Sequence, residues 1–336
     1  NHLKQNKIDK DTYLNYLKPI SESLKGIKRV YLSSDGIFNQ INLATILIDT
    51  SSVSKKYLID SIEVISISNI KQIIETKSQF QDKRIRGKAV LIGNPDFEQS
   101  KTYIKSQNEA KTKNIEEMEI RYFENLASLE GSQKEIEGID SLLTENKVDC
   151  EVFVKTSAEE KELYKLLNPA ILHIATHGFF LNDVVYKREC FLGIKKDDLS
   201  ENPLLRSGLF FAGIKSKSKQ TLRDNDGLFT ANDALNLSLE KTDLVVLSAC
   251  ETGLGEVVAG EGVYGLLRSF QVAGAKNILA SLWKIDDFVA YKMMISFYRN
   301  LTKENDIKSS YRNAVLEIKE NYPQPYFWGA FILLTE

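Results

Sequence analysis

Several short apolar runs in this chain are continuous rather than alternating. They are Lys88-Ala-Val-Leu-Ile-Gly93, Ile171-Leu-His-Ile-Ala-Thr-His-Gly178, Asn277–Leu282 and Leu244-Val-Val-Leu-Ser-Ala-Cys-Glu-Thr-Gly253. Runs of four to six β-favouring residues closed by turn signals predict strands covered on both faces, as in a parallel sheet between helices. Helical patterns fall between them. Ser132-Gln-Lys-Glu135 has the form of a capping box and opens an apolar stripe of Ile136, Ile139, Leu142 and Leu143. Further helices are predicted over Glu159–Leu167, Glu261–Val272, Asp287–Leu301 and Ile307–Asn321, and one from Thr230 that Thr230 or Asn232 caps. Val152–Val154 and Trp328–Leu334 read as strands. This alternation of strand and helix predicts an α/β fold with a central, mostly parallel sheet.

The first part of the chain has a different pattern. Tyr13, Leu14, Leu17, Ile20 and Leu24 recur at helical spacing over Asp11–Lys25, with Pro19 placed to break that helix and Gly26 to end it. Short extended pieces at Arg29–Ser33, Ala44–Ile48 and Ser61–Ile67 predict a small strand-rich lobe, followed by a helical Ile70–Thr76. The expected division is residues 1–80 for the N-terminal helix and lobe, and 81–336 for the main domain with a polar insertion at 96–130. Asn182–Asn225, with its basic tip Lys215–Gln220, and Gly253–Gly262 are expected to be mobile segments that an activator orders.

Composition narrows the possible partners. Lys+Arg 44 against Asp+Glu 46 gives a net charge of −2, without the basic surplus of a nucleic-acid binder. The three cysteines, Cys150, Cys190 and Cys250, are odd in number and lack CxxC spacing, which argues against a disulfide framework or a cysteine-rich zinc module and for a reducing, cytoplasmic setting. No apolar run reaches the roughly 18 residues of a membrane span. The chain opens on Asn1 rather than Met, so a fragment with a regulatory region upstream is expected.

The candidate chemistry lies at two strand ends. Parallel strands would deliver His177 and Cys250 to the same carboxyl edge, where α/β sheets bind ligands. A thiol near pKa 8.5 is only a few per cent ionised at neutral pH. A neighbouring imidazolium lowers that value, and the same ring later protonates a leaving amine. Such a pair suggests a thiol protease, with the N–H groups of Gly178 and Cys250 as oxyanion donors. The bland reading of a lone cysteine after an apolar run is core packing. His173 and His177 cannot share a zinc ion, because four residues of strand span about 13 Å. His173 therefore reads as a packed or hydrogen-bonded core residue, and neither metal nor cofactor is expected. Gly260-Glu-Gly-Val-Tyr-Gly265 imitates a dinucleotide fingerprint, but no strand runs directly into it.

Thr176-His177-Gly178, Ser248-Ala-Cys-Glu-Thr-Gly253, Gly260-Glu-Gly262 before Leu266-Leu267-Arg268, Ala273-Gly274-Ala275, and Ser281-Leu-Trp283 with Asp286-Asp287 together resemble a CHAT domain. Weaker matches include Ser34-Asp-Gly36, Gly93-Asn-Pro-Asp96 and Trp328 with Phe331. The resemblance implies a caspase-like three-layer α/β fold with His177 and Cys250 as the dyad of a cysteine endopeptidase acting on protein substrates. It implies tetratricopeptide repeats as a common neighbour, and service in bacterial defence or cell death beside gasdermin-like or CRISPR-associated proteins, while the charge balance and the lack of a long apolar run leave no direct nucleic-acid or membrane partner expected. It places Ser248, Trp283, Asp286 and Asp287 around the substrate. The small, neutral Ser248 does not specify a charged P1 side chain, whereas Asp287 would suit a basic one, so P1 stays open between basic and uncharged apolar. Solvation or helix capping is the alternative role of the two aspartates. A catalytically weak binding or signalling scaffold of the same fold is the alternative function.

Overall fold

The structure, a computed structural model, describes residues 10–34, 41–49, 55–68, 87–98, 126–181, 190–191, 194–215, 225–249 and 261–336. Two compact units divide the chain: Ile85–Lys284 forms one, and Asn1–Arg84 with Ile285–Glu336 forms the other.

In the second of these, the N-terminal segment is a series of short helical turns rather than one helix, and Pro19 lies in the 3-10 turn Lys18–Ile20. Proline has no N–H to give to a helical ladder, so the interruption there is the one its position predicts. Strand β1 (Arg29–Leu32) is followed by a hairpin of β2 (Leu47–Asp49) and β3 (Lys56–Tyr57), and then by β4 (Glu63–Ile67), which runs parallel to β1. Leu43–Thr45 is a 3-10 turn, not the start of the strand expected at Ala44, because Asn42 caps it by accepting the Ala44 N–H. Leu17, Ile46, Leu58 and Ile62 bury together beneath these pieces. The predicted helix at 70–76 lies outside the described residues, as does most of the 96–130 insertion.

The unit Ile85–Lys284 carries the sheet predicted from the continuous apolar runs. It is built from β5 (Ala89–Pro95), helix α1 (Glu130–Glu145), β6 (Cys150–Lys155), the short α2 (Lys161–Tyr164), β7 (Ile171–Ala175), β8 (Gly178–Phe180), β9 (Cys190–Phe191) and β10 (Ile194–Lys195). There follow α3 (Lys196–Glu201), β11 (Ser207–Phe210), β12 (Leu228–Thr230), α4 (Ala231–Ala234), β13 (Leu244–Leu247), α5 (Glu261–Val272) and β14 (Asn277–Ser281). Its parallel strands lie in the order β14-β13-β7-β5-β6. Every residue of β5, β7 and β13 is buried. A smaller antiparallel sheet has the order β12-β11-β8.

Helix α1 begins at Glu130 without a side-chain cap, so the capping box expected at Ser132 is not its start. The Ser132 hydroxyl instead donates to the Leu129 carbonyl and accepts the Asn94 N–H. The capping box at Thr230 with Asp233 does form. The glycines of the apparent dinucleotide motif from position 262 on lie within α5 rather than in a loop after a strand. The close seating of α1 depends on Gly93, where a Cβ would stand 2.5 Å from Cγ1 of Ile136. At the turn from α5 into β14, Gly274 has φ +110°, and a Cβ there would lie 2.6 Å from the Glu240 backbone.

The C-terminal segment adds α6 (Asp287–Glu304), α7 (Ile307–Asn321), the helical turn α8 (Pro325–Trp328) and β15 (Phe331–Thr335), which pairs parallel with β4. The strand expected from Trp328 therefore starts three residues later. Pro325 opens a helical turn that Gly329 closes, and buried Asn42 donates to the Gly329 and Phe331 carbonyls at 2.8 and 3.2 Å. Among the described residues, no helix is long and apolar enough to cross a membrane.

One buried acid makes the Ile85–Lys284 unit sensitive to pH. Glu160 accepts the Gly227 N–H at 3.0 Å and the Tyr164 hydroxyl at 2.9 Å. Burial, reinforced by the charge of Asp226, pushes its pKa from the ordinary 4.5 up to about 7. The folded chain thus holds this proton more tightly than the unfolded chain. Its contribution to stability is complete below about pH 4.5 and is lost as pH rises through about 7. Urea denaturation of wild type and Glu160→Gln across that window is expected to show the variant gaining relative stability as pH rises; parallel curves would remove Glu160 as the cause.

Candidate active site at the carboxyl edge of the sheet

Parallel pairing aligns the strand ends that matter. Ile171 to Ile174 of β7 pair with Leu244 to Leu247 of β13, and Val245 to Leu247 pair in turn with Ile278 to Ala280 of β14. The Ser248 N–H extends the first ladder to the Ile174 carbonyl at 2.9 Å. The Ser281 hydroxyl ties the next strand in by donating to the Ala249 carbonyl at 3.2 Å. His177, Ser248 and Trp283 therefore all follow the carboxyl ends of adjacent parallel strands. Ser248 is buried and Trp283 half-buried.

His177 is not the last residue of β7. It occupies the step between β7 and β8, where the chain leaves the parallel sheet for the antiparallel one. Both residues of that step are fastened to β11: the Thr176 hydroxyl donates to the Phe210 carbonyl at 2.6 Å, and the His177 carbonyl accepts the Phe210 N–H at 2.9 Å. The ring itself is buried. Phe97 packs against it with centroids 5.4 Å apart, and Nε2 lies 3.0 Å from the Ala127 carbonyl. A carbonyl oxygen only accepts, so Nε2 carries the hydrogen, and in the neutral ring the lone pair sits on Nδ1. This contact fixes both the orientation and the tautomer of the imidazole.

Gly178 belongs to extended β8, so a tight turn is not what its lack of a side chain serves. A Cβ at this position would sit 3.7 Å from that of Ala249, which places the start of β8 directly against the segment following β13. Along β8 the His177 carbonyl and the Leu181 N–H both bond toward the β11 side. Antiparallel ladders alternate, so the Gly178 N–H points away from β11. Cys250, joined covalently to Ala249, lies outside the described residues, as do 182–189 and 216–224 of the expected mobile segment Asn182–Asn225 and 253–260 of Gly253–Gly262; the part of the first that is described includes the buried strand β11.

The two aspartates belong to the other unit. Asp286 is the N-cap of α6 and accepts the N–H groups of Phe288 and Val289 at 3.0 and 3.3 Å; Asp287 is exposed in the first helical turn. Among the described residues, no group of three or more His, Cys, Asp and Glu is placed to hold a metal ion. His173 is fully buried and bonded through Nε2 to Glu135 at 2.9 Å, which fits the core role read from its sequence. In the unit containing Asp286, a cavity of about 470 Å³ lined in part by Lys55, Tyr57, Asp60 and Lys319 has no cysteine or histidine among the described residues of its wall.

Sequence reasoning missed what surrounds the imidazole. Ala127 acts through its backbone, which leaves no trace in residue type. Phe97 and Leu126 join a buried apolar cluster with Phe179 and Phe210, although they flank a polar stretch that conceals them in the pattern. Asn94 carried a signal: a residue between glycine and proline that tolerates left-handed backbone, here at φ +45°.

An α/β unit that presents a carbonyl-anchored histidine at the carboxyl edge of its parallel strands fits the caspase-like fold expected from the motifs. The crystal structure of the Arg-specific cysteine proteinase gingipain R aligns with 98% of this chain and 68% of its own at a TM-score of 0.52 and 10% identity, which shows a shared fold. A fainter likeness, TM-score 0.38 over 82% of this chain, is to the Saccharomyces cerevisiae separase–securin complex and does not bear on the fold. The sequence matches the CHAT domain family over residues 13–336, and the chain belongs to that family. Tetratricopeptide repeat protein 28 is 32% identical over 109 residues in Mus musculus and 34% over 110 in Homo sapiens. Each match covers 32% of this chain and 4% of the far longer relative. The caspase-like α/β fold with a mostly parallel sheet, expected from the motifs, is the fold of this chain.

The Asp286 contacts predict a structural cost on substitution. Asp286→Ala is expected to lose about 1 kcal/mol in chemical denaturation, whereas Asp286→Asn loses little, since asparagine also caps. An equal loss in both variants would show that charge rather than capping matters there.

Proposed function

We propose that the chain is the catalytic region of a cysteine endopeptidase that cleaves specific protein partners. The observation that carries this reading is the buried His177, held through Nε2 by the Ala127 carbonyl beside the segment that leads into Cys250. In the mechanism, His177 Nδ1 takes the thiol proton of Cys250, and the thiolate attacks the scissile carbonyl carbon. The oxyanion that forms is met by the N–H groups of Gly178 and Cys250. As the tetrahedral intermediate collapses, the imidazolium returns its proton to the leaving amine; water, activated by the neutral ring, then hydrolyses the thioester and frees the thiol.

Substrate contacts are assigned to Ser248 and Trp283 near the sheet edge. The resemblance to repeat-associated relatives supports a regulatory tetratricopeptide or similar region in the full-length protein. It also supports service in a defence or cell-death response, and the odd cysteine count and near-neutral charge support a cytoplasmic setting without a direct nucleic-acid partner.

Alkylation with iodoacetamide separates this reading from that of a non-catalytic scaffold. Cys150 is an internal control, because burial, aided by the charge of Asp140, raises its thiol to about 11. At pH 7, Cys250 is expected to react at least about tenfold faster than Cys150, and His177→Ala is expected to slow Cys250 selectively. Peptide-library cleavage that vanishes in Cys250→Ala completes the case. Slow Cys250 labelling, indifferent to His177, would favour the scaffold.

A further inference from the structure

The dyad histidine depends on the strap Leu126–Leu129, and one side chain fastens that strap. Asn94 is fully buried in the left-handed conformation near the end of β5. Its Oδ1 accepts the Leu129 N–H at 3.0 Å and the Ser128 hydroxyl at 3.2 Å. Its Nδ2 donates to Gln133 Oε1 at 2.9 Å, and its backbone N–H donates to the Ser132 hydroxyl at 3.0 Å. All of its polar groups on this side are thus directed to the strap and the first turns of α1. The strap's other end is held by Lys215, whose ammonium donates to the Leu126 carbonyl at 3.1 Å. Between these two fixings lies Ala127, whose carbonyl receives the His177 Nε2 hydrogen.

The neighbours of Asn94 aim at the same place. Gly93 admits Ile136 and lets α1 lie close to β5, while Phe97, three residues past Asn94, packs on the imidazole. Buried Glu135 bonds His173 on β7, the strand that leads to His177, so α1 is keyed to that strand as well as to Asn94. We propose that Asn94 is a positioning residue for the His177–Cys250 dyad: by fastening the Leu126–Leu129 strap it holds the Ala127 carbonyl where it keeps His177 in the Nε2–H tautomer with Nδ1 directed to the thiol. This rests on the dyad reading above and adds to it the source of the histidine's orientation. A buried side chain that meets its hydrogen-bonding needs across two segments fixes their geometry, because opening either one strands polar atoms away from water.

The test is nitrogen-15 NMR of the histidine rings in the folded 336-residue chain, paired with the pH profile of Cys250 alkylation. Wild type is expected to show His177 in the Nε2–H tautomer at neutral pH. Asn94→Gly keeps the left-handed turn accessible but removes the three side-chain bonds. It is expected to give a mixture of tautomers, an alkylation pKa for Cys250 raised by about one unit toward the ordinary thiol value, and a kcat/KM about 10- to 100-fold lower. Asn94→Asp retains the acceptor for Leu129 and is expected to restore the wild-type tautomer. A folded Asn94→Gly with wild-type tautomer and pH profile would overturn the proposal. The tautomer readout needs no turnover, so the two readings fail separately: absent selective labelling of wild-type Cys250 sinks the dyad, and an unmoved tautomer sinks the role of Asn94. Should the glycine variant not fold, Ser128→Ala combined with Gln133→Ala removes two of the three bonds and leaves the backbone residue in place. A smaller tautomer shift of the same sign supports the proposal, and no shift contradicts it.

Discussion

The parallel register between β7 and β13 is the constraint on which the rest of the site depends. With Ile171 opposite Leu244 and Ile174 opposite Leu247, the two strands finish level with one another at one edge. Parallel pairing in a buried sheet is strongly specified, because a slip of one residue would turn every side chain to the wrong face. Here a slip would move buried His173 off Glu135 and separate Gly178 from Ala249. The register that satisfies the core is therefore the one that brings the His177 step against the chain leading to Cys250.

The anchor of the histidine is a neutral carbonyl rather than a carboxylate, and this difference has chemical consequences. A carbonyl holds the ring through one directed hydrogen bond and brings no charge of its own. The burden of precision then falls on whatever holds the carbonyl. Ala127 sits between an ammonium-held carbonyl at Leu126 and an asparagine-held N–H at Leu129, so its position is set from both sides by groups drawn from β5 and from the segment after β11. Phe97 and the apolar cluster of Leu126, Phe179 and Phe210 exclude water from one side of this arrangement, which strengthens the hydrogen bond at its centre.

Much of this was legible in the sequence, for reasons that are physical. The continuous apolar runs at Ala89, Ile171 and Leu244 are visible because strands buried on both faces admit no polar alternation, and α5 and α7 begin and end where the pattern places them. His177 stood out because a histidine followed by glycine at the end of such a run is chemically conspicuous. Local signals misled where tertiary bonds outcompeted them. Ser132 has the pattern of a cap, yet its hydroxyl serves Asn94 and Leu129, and α1 starts earlier. Trp328 looks like strand because it is large and apolar, yet Pro325 starts a helical turn that buries it with its indole N–H on the Pro323 carbonyl. The Ala127 carbonyl was beyond reach, since any residue supplies one.

Nδ1 of His177, which keeps the ring's lone pair because Nε2 donates to Ala127, is proposed to face the thiol of Cys250. A crystal structure of the chain with a peptide-like inhibitor bonded covalently to Cys250 tests it most directly. The expected result is Nδ1 within about 4 Å of the sulfur or of the carbon it has attacked, Nε2 still on the Ala127 carbonyl, and the inhibitor oxygen on the Gly178 N–H. A ring turned so that Nε2 faces the sulfur, or a cysteine bonded to inhibitor with His177 out of reach, would contradict it.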